Sequence, residues 1–178
     1  FVGAKFMDDA QREDTRAVFT GIDNAGLLDF VAAWYVKATQ YSRLVPGTGG
    51  EPIHPRTAFV STNSIVQGEQ VGVLWGWMLA QGVHIQFAHR TFSWSNEASG
   101  NAAVHCVIVG FGLENRSGKV IYEYENTKGD AHAVPAGNIN PYLVDAPDVV
   151  LPRRSRPICD VPEIGIGNKP IDDGNYLF

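Results

Sequence analysis

The segment AVHCVIVGFG, residues 103–112, constrains the fold more than any other part of the chain. It is strand-length, well short of the ~20 apolar residues a membrane helix needs. It also lacks the alternation of a strand with one wet face; a strand apolar on both sides belongs inside a sheet covered on both faces, which is the setting of α/β folds. The central strand is therefore placed at AAVHCVIVGFGL, 102–113, and the remaining sequence has to supply its neighbours.

Before it, VHIQFAHRTFSW (83–94) alternates in part, with Val83, Ile85 and Phe87 on one face and His84, Gln86 and Ala88 on the other. After it, KVIYEYE (119–125) is a more exposed strand, and the turn NRSG at 115–118 predicts a hairpin with the central strand. RTAFVST (56–62) is a shorter β-rich run.

Helical steps of three and four residues link Leu27, Val31, Trp34, Ala38 and Tyr41, predicting a helix over 27–41 with these residues as its apolar face. Ser64 followed by Gln67 has the pattern of a capping box. A second helix is expected to start there, stop at Gly82 and bury Val71, Leu74, Trp75 and Met78. Gly68, Gly72 and Gly76 lie four apart. Each costs about 1 kcal/mol against Ala in a helix, so the trio predicts a close approach by another backbone. LVPGTGGEPIHP (44–55) is a loop, and after about 126 the proline-rich sequence loses its period and reads as an irregular extension or connector.

Helix, strand, helix, strand, strand is half of a doubly wound α/β domain. The other half is expected before Phe1, where the chain starts abruptly without a signal-peptide pattern, leaving a sheet with an open edge.

The net charge of −5 argues against a surface coated with nucleic acid but is compatible with a local basic cleft. Cys106 and Cys159 form neither a disulfide framework nor a metal spacing, and neither has a histidine partner at a nucleophile spacing. A reducing, cytoplasmic compartment is the expectation, with no membrane partner. His84, His105 and His132 show no metal spacing; His105 reads as a core histidine. The glycine-rich GTGG and GIGNK lack the strand–loop–helix setting of a phosphate cradle.

Three blocks, LLDFVAAWYVKA, AFVSTNSIVQGEQVGVLW and FAHRTFSWSNEASGNAAVHCVIVGF, together resemble the gamma-class amino-methyltransferases, and in detail the MmeI-type restriction–modification enzymes. RSRPICDVPEIGIGNKPIDDGNYL resembles the start of that family's target-recognition domain. The resemblance implies the C-terminal half of a Rossmann-like class I methyltransferase fold over 1–125, a mixed sheet with a terminal antiparallel hairpin. A connector and the start of the target-recognition domain would fill 126–178. It implies a DNA adenine-N6 methyltransferase that uses S-adenosylmethionine, acts on double-stranded DNA by base flipping and depends on the remainder of its own polypeptide, so that the piece alone is inactive.

The family's catalytic Asn-Pro-Pro-Phe motif would end at Phe1, the aromatic that stacks on the target adenine. The Asn-Pro-Pro and the glycine-rich cofactor motif are absent from 1–178. Phe92, and next to it Trp94, resemble a second base-stacking aromatic. Asp29 and Phe30 resemble the motif lining the cofactor's adenine, although an Asp at a helix start is also favoured by the helix dipole alone. Asn63 and Ser64 follow the carboxyl end of a strand, where open α/β sheets place ligands; they are candidates for DNA contact. His89 and Arg90 are candidates for DNA phosphate, and so is the basic cluster Arg153, Arg154 and Arg156. The competing reading is a non-catalytic DNA-binding or assembly module of such a system, in which the aromatics only pack.

Overall fold

The computed structural model describes residues 2–44, 53–94, 104–152, 154 and 159–161. Helix α1, Asp9–Val18, opens on a reciprocal cap: Asp8 accepts from the Gln11 backbone N–H and the Gln11 side chain accepts from that of Asp8. Apolar periodicity does not reveal this helix; its signal is the Asp8–Gln11 spacing. Helix α2 spans Ala32–Leu44 and buries Ala32, Ala33, Tyr35, Val36 and Thr39. The helical period expected here is present, but the buried face is not the expected one. Trp34 and Tyr41 are exposed, while the smaller alanines let α2 lie close to the sheet.

Strand β1, Thr57–Thr62, leads into a 3-10 turn, Asn63–Val66, and then into a composite helix. One α-turn, Gly68–Gln70 (α3), continues as a π-helical segment, Val71–Trp75, and a further α-segment, Gly76–Ala80 (α4). Ser64 does not form the expected capping box, because its side chain is committed to Asp29. The expected apolar face is correct: Val71, Leu74, Trp75 and Met78 are all fully buried. The helix stops as predicted. Gly82 adopts φ +82°, its N–H bonds Leu79 O, and Val83 N–H reaches back to Met78 O. Of the three spaced glycines only Gly72 meets another backbone, the carbonyl of Leu151, in the close approach that the spacing suggested. Gly68 has φ +58° instead, and Gly76 faces open space.

The sheet adds β2 (His84–Trp94), β3 (Val104–Gly112), β4 (Lys119–Tyr124) and β5 (Ala131–Ala136), in the order β1-β3-β2-β4-β5. β3 lies between β1 and β2 and runs antiparallel to both, so β1 and β2 are parallel. β4 is parallel to β2 and antiparallel to β5. The hairpin expected at 115–118 does not form: β4 passes β3 and pairs with the far side of β2. The hairpin sits one step later, between β4 and β5, and draws residues 131–136 of the supposed irregular segment into the sheet. Pro135 is tolerated there because β5 is an edge strand. Beyond it Ile139 and Leu143 return to the core, and the buried Lys119 donates to Asn138 Oδ1 at 2.8 Å.

The core lies between the helices and one sheet face. Tyr35 stacks on Phe111 at 5.4 Å and meets Phe59 and Trp75 edge-on. Its hydroxyl bonds Ser61 at 2.9 Å. The expected alternation of β2 is interrupted by a bulge between Ile85 and Phe87. The extra residue switches faces, so Ile85 and Ala88 are buried against the helices while Phe87 points to the opposite side. There its ring covers Gly110, and a Cβ on that glycine would overlap it. His105, expected in the core, is exposed at the start of β3.

Gly110→Ala should therefore destabilise the chain by about 1–3 kcal/mol, the usual cost of overpacking. Urea unfolding of the variant checks this, and a wild-type midpoint would show that the Phe87 ring moves aside freely.

Candidate functional site

The sheet register creates the site. Thr62 of β1 and Phe92 of β2 both pair with Cys106 of β3, so the three form one row across the sheet. Two strand spacings, about 10 Å, separate Thr62 from Phe92. The carboxyl ends of the two parallel strands thus open on the same side, Asn63 and Ser64 following one and Phe92 and Trp94 closing the other. Phe1, Arg153 and Arg156 lie outside the described residues.

On the β1 side Asp29 is the hub. Its Oδ1 accepts the Ala4 N–H at 2.8 Å and its Oδ2 accepts the Ser64 hydroxyl at 2.6 Å. Its own N–H donates to Gln70 Oε1 at 3.2 Å, and the next N–H, of Phe30, donates to Val2 O. Thr62 Oγ1 bonds Ser64 Oγ at 2.8 Å. Half-buried Asn63 has no side-chain partner among the described residues, which leaves its amide available at the strand end.

Two hollows lie near Asp29, one lined by its chain neighbour Phe30 and the other by its partner Ser64. One, of about 450 Å³, has apolar walls from Val2, Phe30, Val31, Trp34, Phe59 and Val60 and lies along the free side of β1. Trp34 is 55% exposed there, on a wall whose one polar member is Gln11. The helical period of 27–41 marks Trp34 as apolar but reads it as core; only the packing shows that it faces the hollow. The other hollow, also of about 450 Å³, is more polar and is lined by Ser64, Gln67, Glu69 and Gln70 with Leu27 and Gly68.

On the β2 side the aromatics form a connected row. His89 stacks on Tyr122 at 4.2 Å, and its Nδ1 bonds the Tyr124 hydroxyl at 2.8 Å. Tyr124 stacks on Phe92 at 5.5 Å, and Phe92 lies 6.2 Å from Trp94. One face of Phe92 is thus buttressed, and Trp94 is 45% exposed at the rim. Ser93 holds the strand end to the β4–β5 turn through Thr127.

Burial lowers the pKa of His89 below the ordinary imidazole value. His89 is stacked on Tyr122 and its Nδ1 is committed to Tyr124, so the ring serves the aromatic row on that side. Arg90 is engaged with Glu123 at 3.0 Å, in a half-exposed pair that water screens. Arg154 is exposed. The signal for the His89 arrangement lies in the sequence only once β4 is known to pair with β2, because that pairing sets Tyr122 and Tyr124 beside it.

Comparison with known proteins identifies the family and the fold. Residues 1–123 match the family model described as the MmeI DNA-methyltransferase domain. The chain is similar to DNA methyltransferase A of Bacillus subtilis (strain 168), 36% identical over 179 residues that cover 100% of this chain and 19% of that protein. It is also similar to a solved structure of the type IIL restriction-modification enzyme MmeI in complex with DNA. That match has 53% identity and a TM-score of 0.86, and covers 100% of this chain and 23% of that one. The chain spans about a fifth of the length of these relatives.

The His89 geometry has a pH consequence. With its folded pKa depressed, the unfolded chain takes up a proton first as pH falls below about 6.5. The stability this group contributes is complete above that value and is lost as pH falls towards the folded-state pKa. The unfolding temperature should drop between about pH 7 and pH 5.5, and His89→Gln should flatten that drop. Equal slopes in variant and wild type would show that His89 is not held neutral.

Proposed function

The chain belongs to the MmeI DNA-methyltransferase family, and from that premise we propose that it is part of an S-adenosylmethionine-dependent DNA adenine-N6 methyltransferase of a restriction–modification enzyme. In this reading residues 1–125 are the catalytic-domain half that follows the cofactor-binding motif, and 126–178 lead into target recognition. The observation that carries the reading is the row Thr62–Cys106–Phe92, which sets a buttressed aromatic level with the carboxyl end of β1, a parallel strand two places away in the sheet. Open α/β sheets bind their ligands at that end.

The apolar hollow beside β1 fits the adenine of the cofactor. It is of ligand size, and Phe30 and Trp34 offer it aromatic surfaces. Phe30, not Asp29, would make that contact. When bound, S-adenosylmethionine supplies a methyl carbon made electrophilic by its sulfonium.

The rest falls to the protein. A target amine buried in a duplex has to leave the stack, which costs a few kcal/mol. Phe92 offers the extruded base its open face while Tyr124 and His89 hold its other side, and Trp94 closes the rim. Phe1 is the proposed second stacking ring, next in the chain to Val2, which Phe30 anchors. The cofactor would supply the methyl group to the exocyclic nitrogen, which gives up one proton to solvent in exchange, and the chain's own part is to hold that nitrogen in line. Asn63, with its free amide, and Arg90 and Arg154 are the proposed DNA contacts of the described residues. Arg153 and Arg156 extend that set along the chain, and Ser64 lines the polar hollow next to it.

The test is methyl transfer by the full-length protein on duplex DNA, with the product nucleoside identified by mass spectrometry. N6-methyladenine is expected. Phe92→Ala should lower turnover by about 5- to 150-fold, the equivalent of one stacking contact of about 1–3 kcal/mol. Methylcytosine as the product, or full turnover without the Phe92 ring, would refute the reading.

A further inference from the structure

Asp29 is half-buried next to Phe30, which lines one hollow, and bonded to Ser64, which lines the other, and its bonds join segments remote in sequence. Ala4 lies 25 residues before it, Ser64 35 residues after and Gln70 41 residues after. An Asp ahead of a helix ordinarily places its carboxylate on the free N–H groups of the first turn. Here the α2 start takes only backbone acceptors, Ala32 N–H donating to Asp29 O and Ala33 N–H to Phe30 O. The carboxylate turns away from α2, towards the entering chain and the end of β1.

We infer that Asp29 is a positioning residue for methyl transfer: its carboxylate fixes the chain at Ala4 to the Ser64 hydroxyl, locking the entry segment to the carboxyl end of β1. This rests on the function proposed above and departs from the cofactor contact that resemblance implies for this side chain. Three observations support it. Both oxygens already accept short hydrogen bonds from the protein, at 2.8 and 2.6 Å. The neighbour Phe30, rather than Asp29, lines the apolar hollow. Ser64, held by both Asp29 and Thr62, lines the polar one. Loss of the carboxylate therefore frees Ala4 and Ser64 together, while the Phe30 N–H still holds Val2 O and the walls around Phe30 and Trp34 stay in place. A shift of about 1 Å in reacting groups costs on the order of 100-fold in rate, so the effect belongs to turnover and not to cofactor affinity.

The experiment uses the full-length enzyme with Asp29→Ala, Asp29→Asn, Ser64→Ala and the Asp29→Ala/Ser64→Ala pair. Turnover is measured at saturating DNA and S-adenosylmethionine, cofactor Kd by calorimetry, and thermal unfolding as a control. Asp29→Ala should lower kcat by about 10- to 100-fold with Kd within about 3-fold of wild type. Asp29→Asn should recover most of kcat, since an amide can accept the Ala4 N–H and donate to the Ser64 hydroxyl. Ser64→Ala should cost less than Asp29→Ala, and the double variant should be no worse than Asp29→Ala alone, as residues acting through one bond are not additive.

A cofactor Kd raised about 10-fold or more in Asp29→Ala would overturn the inference and make Asp29 a cofactor ligand. Unchanged kcat, or strictly additive losses, would also overturn it. If Asp29→Ala lowers the unfolding temperature appreciably, the comparison of Ser64→Ala with Asp29→Asn decides: a kcat loss in the first and near-wild-type kcat in the second uphold the inference, and any other result overturns it. A wild-type enzyme that methylates a base other than adenine refutes the proposed function alone, and the variants are then read against the transfer that it does perform.

Discussion

The structure depends on the enclosure of β3. A strand buried along most of its length needs its backbone N–H and C=O groups paired on both edges, and it obtains that by running antiparallel between β1 and β2. That insertion makes β1 and β2 parallel to each other and brings their carboxyl ends to the same rim, although 30 residues of chain separate Thr62 from Phe92. The hydrophobic demand of one segment thereby sets the spacing of side chains that it does not contain.

Each half of the rim is then fixed by polar and aromatic contacts that the insertion brings within reach. On the β1 side a single carboxylate gathers the entering chain and the strand end. On the β2 side His89, whose pKa burial lowers, bonds the tyrosine that stacks on Phe92. Neither arrangement contributes much core area. Both restrict side chains that would otherwise sample several rotamers, which is how preorganised sites are built. In the proposed reaction such restriction matters more than any acid or base, because methyl transfer to an amine depends chiefly on placing two reacting atoms in line.

Much of this was legible in the sequence where the signal is local. The apolar run of β3, the face Val71–Leu74–Trp75–Met78 and the stop at Gly82 follow from pattern and turn chemistry, and the blocks around STNSIVQGEQ and HRTFSWSNEA pointed to the family that the comparisons show. What failed was non-local. The turn at 115–118 looks like a hairpin, but the far side of β2 offers β4 a partner that local pattern cannot reveal. The α2 stripe of large residues proved to be the open side, since small alanines pack closer to a sheet than Trp34 does. The contacts of His89 with Tyr122 and Tyr124 are likewise invisible until the strand order sets those tyrosines beside it. Ser64 looked like a cap until Asp29, 35 residues away, claimed its hydroxyl.

The central claim is that the base is received at the rim shared by β1 and β2. The most direct measurement is a structure of the full-length protein with a non-reactive analogue of S-adenosylmethionine and duplex DNA containing its target site. The account predicts an extruded adenine with its ring against the open face of Phe92 and the analogue's adenine between Phe30 and Trp34. A base lodged at the opposite end of the sheet, in the hollow between Arg56, Phe87 and Arg116, or a target left stacked in the duplex, would contradict it.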